Sequence, residues 1–92
     1  MHEKSISIKV TGKVQGVFFR KYTKEKAKSL MLKGFVRNES DGSVYIEVTG
    51  EHKAMEEFTE WCKQGPSSAK VDNVVVKEIE VQHQTSFQIK YF

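Results

Sequence analysis

One cysteine and one proline stand among 92 residues. A lone thiol excludes an internal disulfide and suits a reducing cytosol, while leaving a bridge between two chains open. The only proline, Pro66, follows Gly65 where a helical pattern stops, so no proline interrupts a helix or a central strand. Apolar runs long enough for a membrane span or a signal peptide are missing. Met1-His2-Glu3-Lys4-Ser5 passes straight into alternating residues, and the chain is expected to be cytoplasmic. Charge of one sign is scarce too: 15 Lys and Arg against 12 Asp and Glu leave a net +3. Such an excess favours small anions and falls short of the basic stripe of a nucleic-acid binder. Repeats, low-complexity tracts and linkers are likewise absent, so residues 1–92 are expected to form one domain. A domain of that length buries roughly 60–65% of its unfolded surface around one core.

What is present is a set of clean periodicities. Ile6, Ile8 and Val10 alternate with Ser5, Ser7 and Lys9, the period of a strand buried on one face. From Phe19 the spacing lengthens, and Phe19, Thr23, Ala27 and Leu30 share one face of a helix otherwise lined by charge. Val36 leads into a hairpin whose Asp41-Gly42 is expected to supply the positive φ angles of a tight turn, with Val44, Ile46 and Val48 facing inward on the return. Met55, Phe58, Trp61 and Cys62 mark a second helix ending near Gln64. Val74 and Val76 lie on one phase and Ile79 and Val81 on the other, which predicts a bulge inside that strand. Phe87, Ile89 and Tyr91 close with a short strand. The order strand, helix, strand, strand, helix, strand predicts an α/β sandwich of ferredoxin-like split βαβ form. Right-handed crossovers put both helices on one face of an antiparallel sheet of four to five strands.

Chemistry concentrates in Gly12-Lys13-Val14-Gln15-Gly16-Val17-Phe18-Phe19-Arg20, a glycine-bracketed loop between the first strand and the first helix. Glycines let consecutive amides turn inward, a helix N-terminus adds unpaired N–H groups, and a guanidinium can grip two phosphate oxygens. The same layout also fits an ordinary strand-to-helix turn with a solvent-facing arginine. A second segment, Gly34-Phe35-Val36-Arg37-Asn38-Glu39-Ser40-Asp41-Gly42-Ser43-Val44, follows the helix.

Together the two segments resemble the acylphosphatase family. The match includes Val14 to Arg20, Val36-Arg37-Asn38 with Asp41-Gly42, Gly65-Pro66 with Ala69 and Val71, and Phe87-Gln88-Ile89-Lys90-Tyr91, nearly the whole chain. Lys13, Met31 and Phe35 depart from the residues more usual there, at positions the family does not use for chemistry. The resemblance implies the ferredoxin-like fold and hydrolysis of the carboxyl–phosphate bond of small acyl phosphates. It makes Arg20 the phosphate-binding arginine, the amides of Gln15, Gly16, Val17, Phe18 and Phe19 the rest of the cradle, and Asn38 the residue that holds the attacking water. Without it, Arg20 reads sooner as a surface salt bridge and Asn38 as a strand-end residue in a left-handed conformation.

The residues narrow the mechanism further. Val14, six positions before Arg20, stands where a phosphocysteine enzyme would carry its nucleophile. Cys62 falls on the apolar helix face, as a packed small hydrophobe. Water is therefore expected to attack directly. His2, His52 and His83 are scattered without ligand spacing, so neither metal nor other cofactor is expected. Asp41 reads as a turn residue, and strand alternation turns Arg37 toward solvent. Lys21, Lys24, Lys26 and Lys28 either steer substrate or form the wet helix face, and Phe18 and Tyr22 either wall the acyl side or pack. A metal-free site suits an acyl phosphate, whose leaving carboxylate needs no proton. Inorganic phosphate is expected to inhibit competitively. RNA binding is disfavoured, because the third strand carries one tyrosine, Tyr45, beside Glu47. The rival from another class is a small anion-sensing or regulatory domain. The expected state is a monomer.

Overall fold

The computed structural model describes residues 3–91. Its elements run β1 (Lys4–Lys13), α1 (Phe19–Ser29), β2 (Lys33–Asn38), β3 (Val44–Gly50), α2 (His52–Gln64), β4 (Lys70–Ile79) and β5 (Phe87–Lys90). The strands form one sheet in the order β4-β1-β3-β2-β5. Ile8 and Val10 of β1, Val36 of β2 and Val44, Ile46 and Val48 of β3 present one apolar face. Phe19, Thr23 and Ala27 of α1 and Met55, Phe58 and Cys62 of α2 pack onto it. Both helices thus cover the same face, as the periodicities predict. Phe58, fully buried, meets Trp61 and Phe87 with ring centroids 6.3 and 6.4 Å away. Burying a side chain of that size contributes about 1.5–3 kcal/mol. Thr23 sits in the core at little cost because its hydroxyl donates to Phe19 O at 2.7 Å.

Three expectations need correction. The sheet is mixed, not antiparallel: β2 pairs with β3 and β1 with both β3 and β4 in antiparallel fashion, but β5 lies parallel to β2. The chain reverses after β4 and joins the far edge of the sheet. There it must run the same way as β2, because β2 and β4 already run oppositely. The bulge lies elsewhere than predicted, at Asp72, where Thr11 pairs with Asn73 and Gly12 with Val71. Gly12 takes φ 129° there, and a Cβ on it would overlap Lys70 O. Val81 is out of phase simply because β4 ends at Ile79. In the hairpin only Gly42 adopts a positive φ, 93°. Asp41 contributes instead through its carboxylate, which accepts from Ser43 N at 2.9 Å and from the Ser43 hydroxyl.

The face away from the helices is partly covered as well. Residues 80–86 cross it between β4 and β5, and Gln82 N donates to Ser5 Oγ at 2.9 Å. Ser5 is fully buried and its hydroxyl also shares a hydrogen bond with the hydroxyl of Thr49. No helix among the described residues is long and apolar enough to cross a membrane.

One consequence of this topology positions the site. Strands β1, β2 and β5 all run in the same direction, so their C-terminal ends meet at one end of the sheet. The glycine loop, Asn38 and Tyr91 leave from those three ends.

Candidate active site

The loop after β1 is anchored where it leaves the strand. Val14 is buried as a plug, and the Gln15 side-chain amide donates to the carbonyls of Glu39 and Ser43, each at 2.8 Å. That pair of bonds ties the loop to the β2–β3 hairpin. Beyond these anchors, Gly16 and Phe18 take left-handed conformations, φ 73° and 62°. Left-handed residues spaced two apart fold successive N–H groups toward one concavity. Helix α1 then opens with no capping side chain and no acid in its first turn. Among the described residues, the amides of Gln15 to Phe19 meet no acceptor, the first backbone bond of the turn being Tyr22 N to Phe18 O at 3.1 Å. Unspent donors at a positive helix end form a ready receptor for an anion.

Arg20 stands in the first turn of α1, half-buried. It pairs with no carboxylate among the described residues; its guanidinium carbon lies 4.9 Å from the centroid of Tyr91. A ring face, unlike a carboxylate, carries no net charge, so among the described residues no opposite charge compensates the cation. Asn38 ends β2, opposite Val44. Its Oδ1 is buried and accepts no hydrogen bond among the described residues. The register pairs Arg37 with Lys90, which brings Tyr91 alongside Asn38. One cleft of about 300 Å³ is lined by Gly16, Phe18, Arg20, Lys21, Asn38 and Tyr91. Asn38, distant in sequence, therefore converges with Arg20 and the loop.

The remaining residues sort differently. Phe19 is core, with its ring centroid 5.7 Å from that of Trp61, and also lines the cleft. Arg37 faces away from the helices but is not free: Nε donates to Glu39 at 2.8 Å, and the guanidinium lies 4.8 Å from the Tyr45 ring. Of the helix lysines, Lys21 lines the cleft while Lys26 is 3.4 Å from Glu57. Cys62 is fully buried, and burial pushes its thiol far above the usual range. His52 and His83 are exposed, and His2 lies outside the described residues. No three His, Cys, Asp or Glu side chains gather as metal ligands among the described residues. A larger concavity of about 760 Å³ opens between α2 and β4, beside Ile6, Met55 and Val76, with Lys4, Lys53, Glu56 and Glu78 at its rim. Charges of both signs there, without convergent donors, make it a weaker candidate than the smaller cleft. Sequence reasoning missed Tyr91 as the partner of Arg20 and the Gln15 side chain as the clamp. The alternation of Phe87, Ile89 and Tyr91 placed Tyr91 on a strand but could not say which neighbour it would meet.

Comparison with known proteins decides the family. The model described as acylphosphatase matches residues 6–89. The chain belongs to the acylphosphatase family. An acylphosphatase of Thermotoga petrophila is 44% identical over 89 residues, covering 97% of this chain and 99% of that protein. The solved structure of an acylphosphatase from Coxiella burnetii superposes with a TM-score of 0.93 at 42% identity, covering 96% of this chain and 93% of that one. Full-length HypF, solved in a phosphate- and nucleotide-bound form, contains a similar unit: TM-score 0.91, 38% identity, 97% of this chain but 12% of the larger one. Acylphosphatase family membership makes the chain a hydrolase acting on acid anhydrides. It also accounts for the agreement of the two-helix, five-stranded mixed sheet with the family's solved structures.

Proposed function

We propose that this acylphosphatase hydrolyses the carboxyl–phosphate bond of small acyl phosphates by direct attack of water, in a cradle that uses neither metal nor covalent intermediate. The observation that carries this reading is the buried Oδ1 of Asn38, without a partner among the described residues, in the same cleft as Arg20, which pairs with no carboxylate among them. A buried acceptor without a partner is costly unless a ligand satisfies it, and a water donating to Oδ1 would do so. The phosphoryl oxygens accept from Arg20 and from the amides of Gln15 to Phe19. With its proton held by Asn38, the water turns a lone pair toward phosphorus. The new bond joins water oxygen to phosphorus, and the bond between phosphorus and the acyl oxygen breaks. Its electron pair leaves on the carboxylate, and the water protons end on phosphate oxygens. A carboxylate with a pKa near 4 needs no acid to leave. Charge stabilisation by preorganised donors supplies the rest.

Inorganic phosphate, the product, fits the same donors and is expected to inhibit competitively. Nucleic acid is not a partner in this reading. Phe35 of the open sheet face is buried, with Lys90 Nζ 4.1 Å from its ring centroid, and the Tyr45 hydroxyl donates to Glu47 at 2.6 Å, so no stacking platform is presented. The test is hydrolysis of benzoyl phosphate, followed by phosphate release, before and after dialysis against a chelator. Undiminished turnover is expected. Loss on chelation with recovery on adding magnesium or zinc would overturn the metal-free mechanism, and binding of phosphate without turnover would favour an anion-sensing domain.

A further inference from the structure

The cradle loop and Asn38 leave from strands that are not neighbours, since β3 separates β1 from β2. Both ladders stop at the same residue, Val44, which pairs with Val10 on one side and with Asn38 on the other. Beyond Val44 the sheet no longer fixes how far the loop stands from the β2–β3 hairpin. Among the described residues, the hydrogen bonds that span this gap from loop to hairpin come from one group, the Gln15 side-chain amide, which donates to Glu39 O and Ser43 O at 2.8 Å each. Neither carbonyl needs that amide for its own satisfaction. Glu39 O already accepts from Gly42 N at 3.2 Å and Ser43 O from Glu39 N at 2.8 Å, so the hairpin closes on itself. The Gln15 side chain also stands outside the lining of the phosphate cleft. The ion pair of Lys9 with Asp41 joins β1 to the hairpin too, but from the strand, with both side chains about half exposed.

We infer that the Gln15 side chain is a positioning residue of the hydrolysis, setting the distance between the phosphoryl group in the cradle and the water on Asn38. The inference rests on the reaction proposed above and adds a residue to it. One link reaches both partners: Gln15 begins the run of cradle amides, and Glu39, whose carbonyl it grips, directly follows Asn38. Both N–H bonds of the side-chain amide are spent, on two separate acceptors, which restrains rotation of the hairpin as well as its distance. In-line attack requires the water oxygen about 3–3.5 Å from phosphorus, and a misplacement of about 1 Å costs on the order of 10² in rate. Without the Gln15 side chain the loop keeps its backbone donors and Arg20, so phosphate is still held. What drifts is the hairpin that carries the water.

Gln15→Met keeps the length of the side chain and removes both donors, while Gln15→Asn keeps the amide on a stem too short to reach. Each is expected to lower kcat for benzoyl phosphate by roughly 10- to 100-fold, with the inhibition constant of inorganic phosphate changing by less than about threefold. In an Asn38→Ala background, where no side chain holds the water, Gln15→Met should cost less than about threefold more, because Gln15 acts through Asn38. A residue that only supports the fold would multiply its loss onto that of Asn38→Ala. A second readout needs no turnover. Phosphate titrated into the native protein should shift the amide NMR signals of Gly16 to Phe19 and, through Gln15, those of Gly42 and Ser43. In Gln15→Met the loop signals should still move and the hairpin signals should not. Native-like kcat in Gln15→Asn, phosphate affinity falling in step with kcat, independent losses in the double variant, or a hairpin that responds to phosphate equally in Gln15→Met would each overturn the inference. A native protein that shows the joint NMR response but releases no phosphate from benzoyl phosphate would instead overturn the proposed hydrolysis, and with it the use of the link in catalysis, while the link itself stands.

Discussion

At the scale of single residues, the site divides holding from reacting. In the proposed reaction Arg20 and the loop amides meet phosphoryl oxygens in ground and transition states alike, whereas Asn38 meets only the nucleophile. Arg20→Ala is therefore expected to cost about 3–5 kcal/mol in kcat/KM and to weaken inorganic phosphate as well. Arg20→Lys should recover little, since an ammonium cannot reproduce the planar fork. Asn38→Ala should raise the barrier by about 2–4 kcal/mol while phosphate affinity hardly changes. Steady-state kinetics alongside phosphate titration separates the two. An Asn38→Ala protein that binds phosphate poorly yet turns over bound substrate normally would place Asn38 in the cradle instead. The motifs singled out Arg20 and Asn38, but they could not show that Oδ1 is buried with no partner among the described residues. That requires knowing what surrounds it, and its surroundings come from three strand ends.

At the scale of elements, α1 ends on a compromise. Met31, 84% exposed, takes φ 59° just past the helix. Its amide donates to Lys28 O at 3.0 Å and that of Leu32 to Ala27 O at 2.9 Å, the double bond of a glycine-type helix stop. A methionine there bears a left-handed penalty of about 1–2 kcal/mol that glycine avoids. Allowing for the extra chain entropy of glycine, Met31→Gly is expected to stabilise the fold by about 0.5–1 kcal/mol, read from denaturant melts. A loss of stability would mean that the Met31 side chain packs more than its exposure indicates. The hairpin that carries Asn38 depends on charge. A hydrogen bond from Lys9, 2.8 Å away, together with bonds from Ser43, holds the Asp41 carboxyl well below the usual carboxylate range, and the same pair raises Lys9. A depressed acid contributes fully above its unfolded pKa of about 4 and loses that contribution as pH falls through the lower folded value. A raised lysine contributes below about 10.4 and loses it as pH rises through the higher folded value. Both side chains are about half exposed, so the gain is modest and salt-sensitive. Asp41→Ala should melt below the native protein at pH 7, with the gap closing as pH drops below about 4. A gap independent of pH would assign the whole effect to turn geometry.

At the scale of the whole molecule, the question is whether the sheet invites a second copy. Its long free edge is β4, which carries Lys70, Asp72, Lys77 and Glu78 and is bent by the bulge at Asp72; the other, β5, has four residues. Charges, bulges and short edge strands discourage edge-to-edge pairing. The apolar faces of both helices are already spent on the sheet. We expect a single sedimenting species near 10.6 kDa at all practical concentrations. A weight that climbs with concentration would point to pairing through β4.

The periodicities alone marked out two helices and four to five strands, the face each helix buries and the loop between β1 and α1, because spacing of 2 or 3.6 residues is a local property of the backbone. The family was equally readable, since its motifs are contiguous. Only the tertiary structure decided that β5 lies parallel to β2, that residues 80–86 bury Ser5, that the Tyr91 ring faces Arg20, and that Gln15 clamps the loop to the hairpin. Each is a pairing between segments far apart in the chain. Which pairing forms depends on which sheet edge and which carbonyls are left free once the rest has packed, and no window of sequence contains that information.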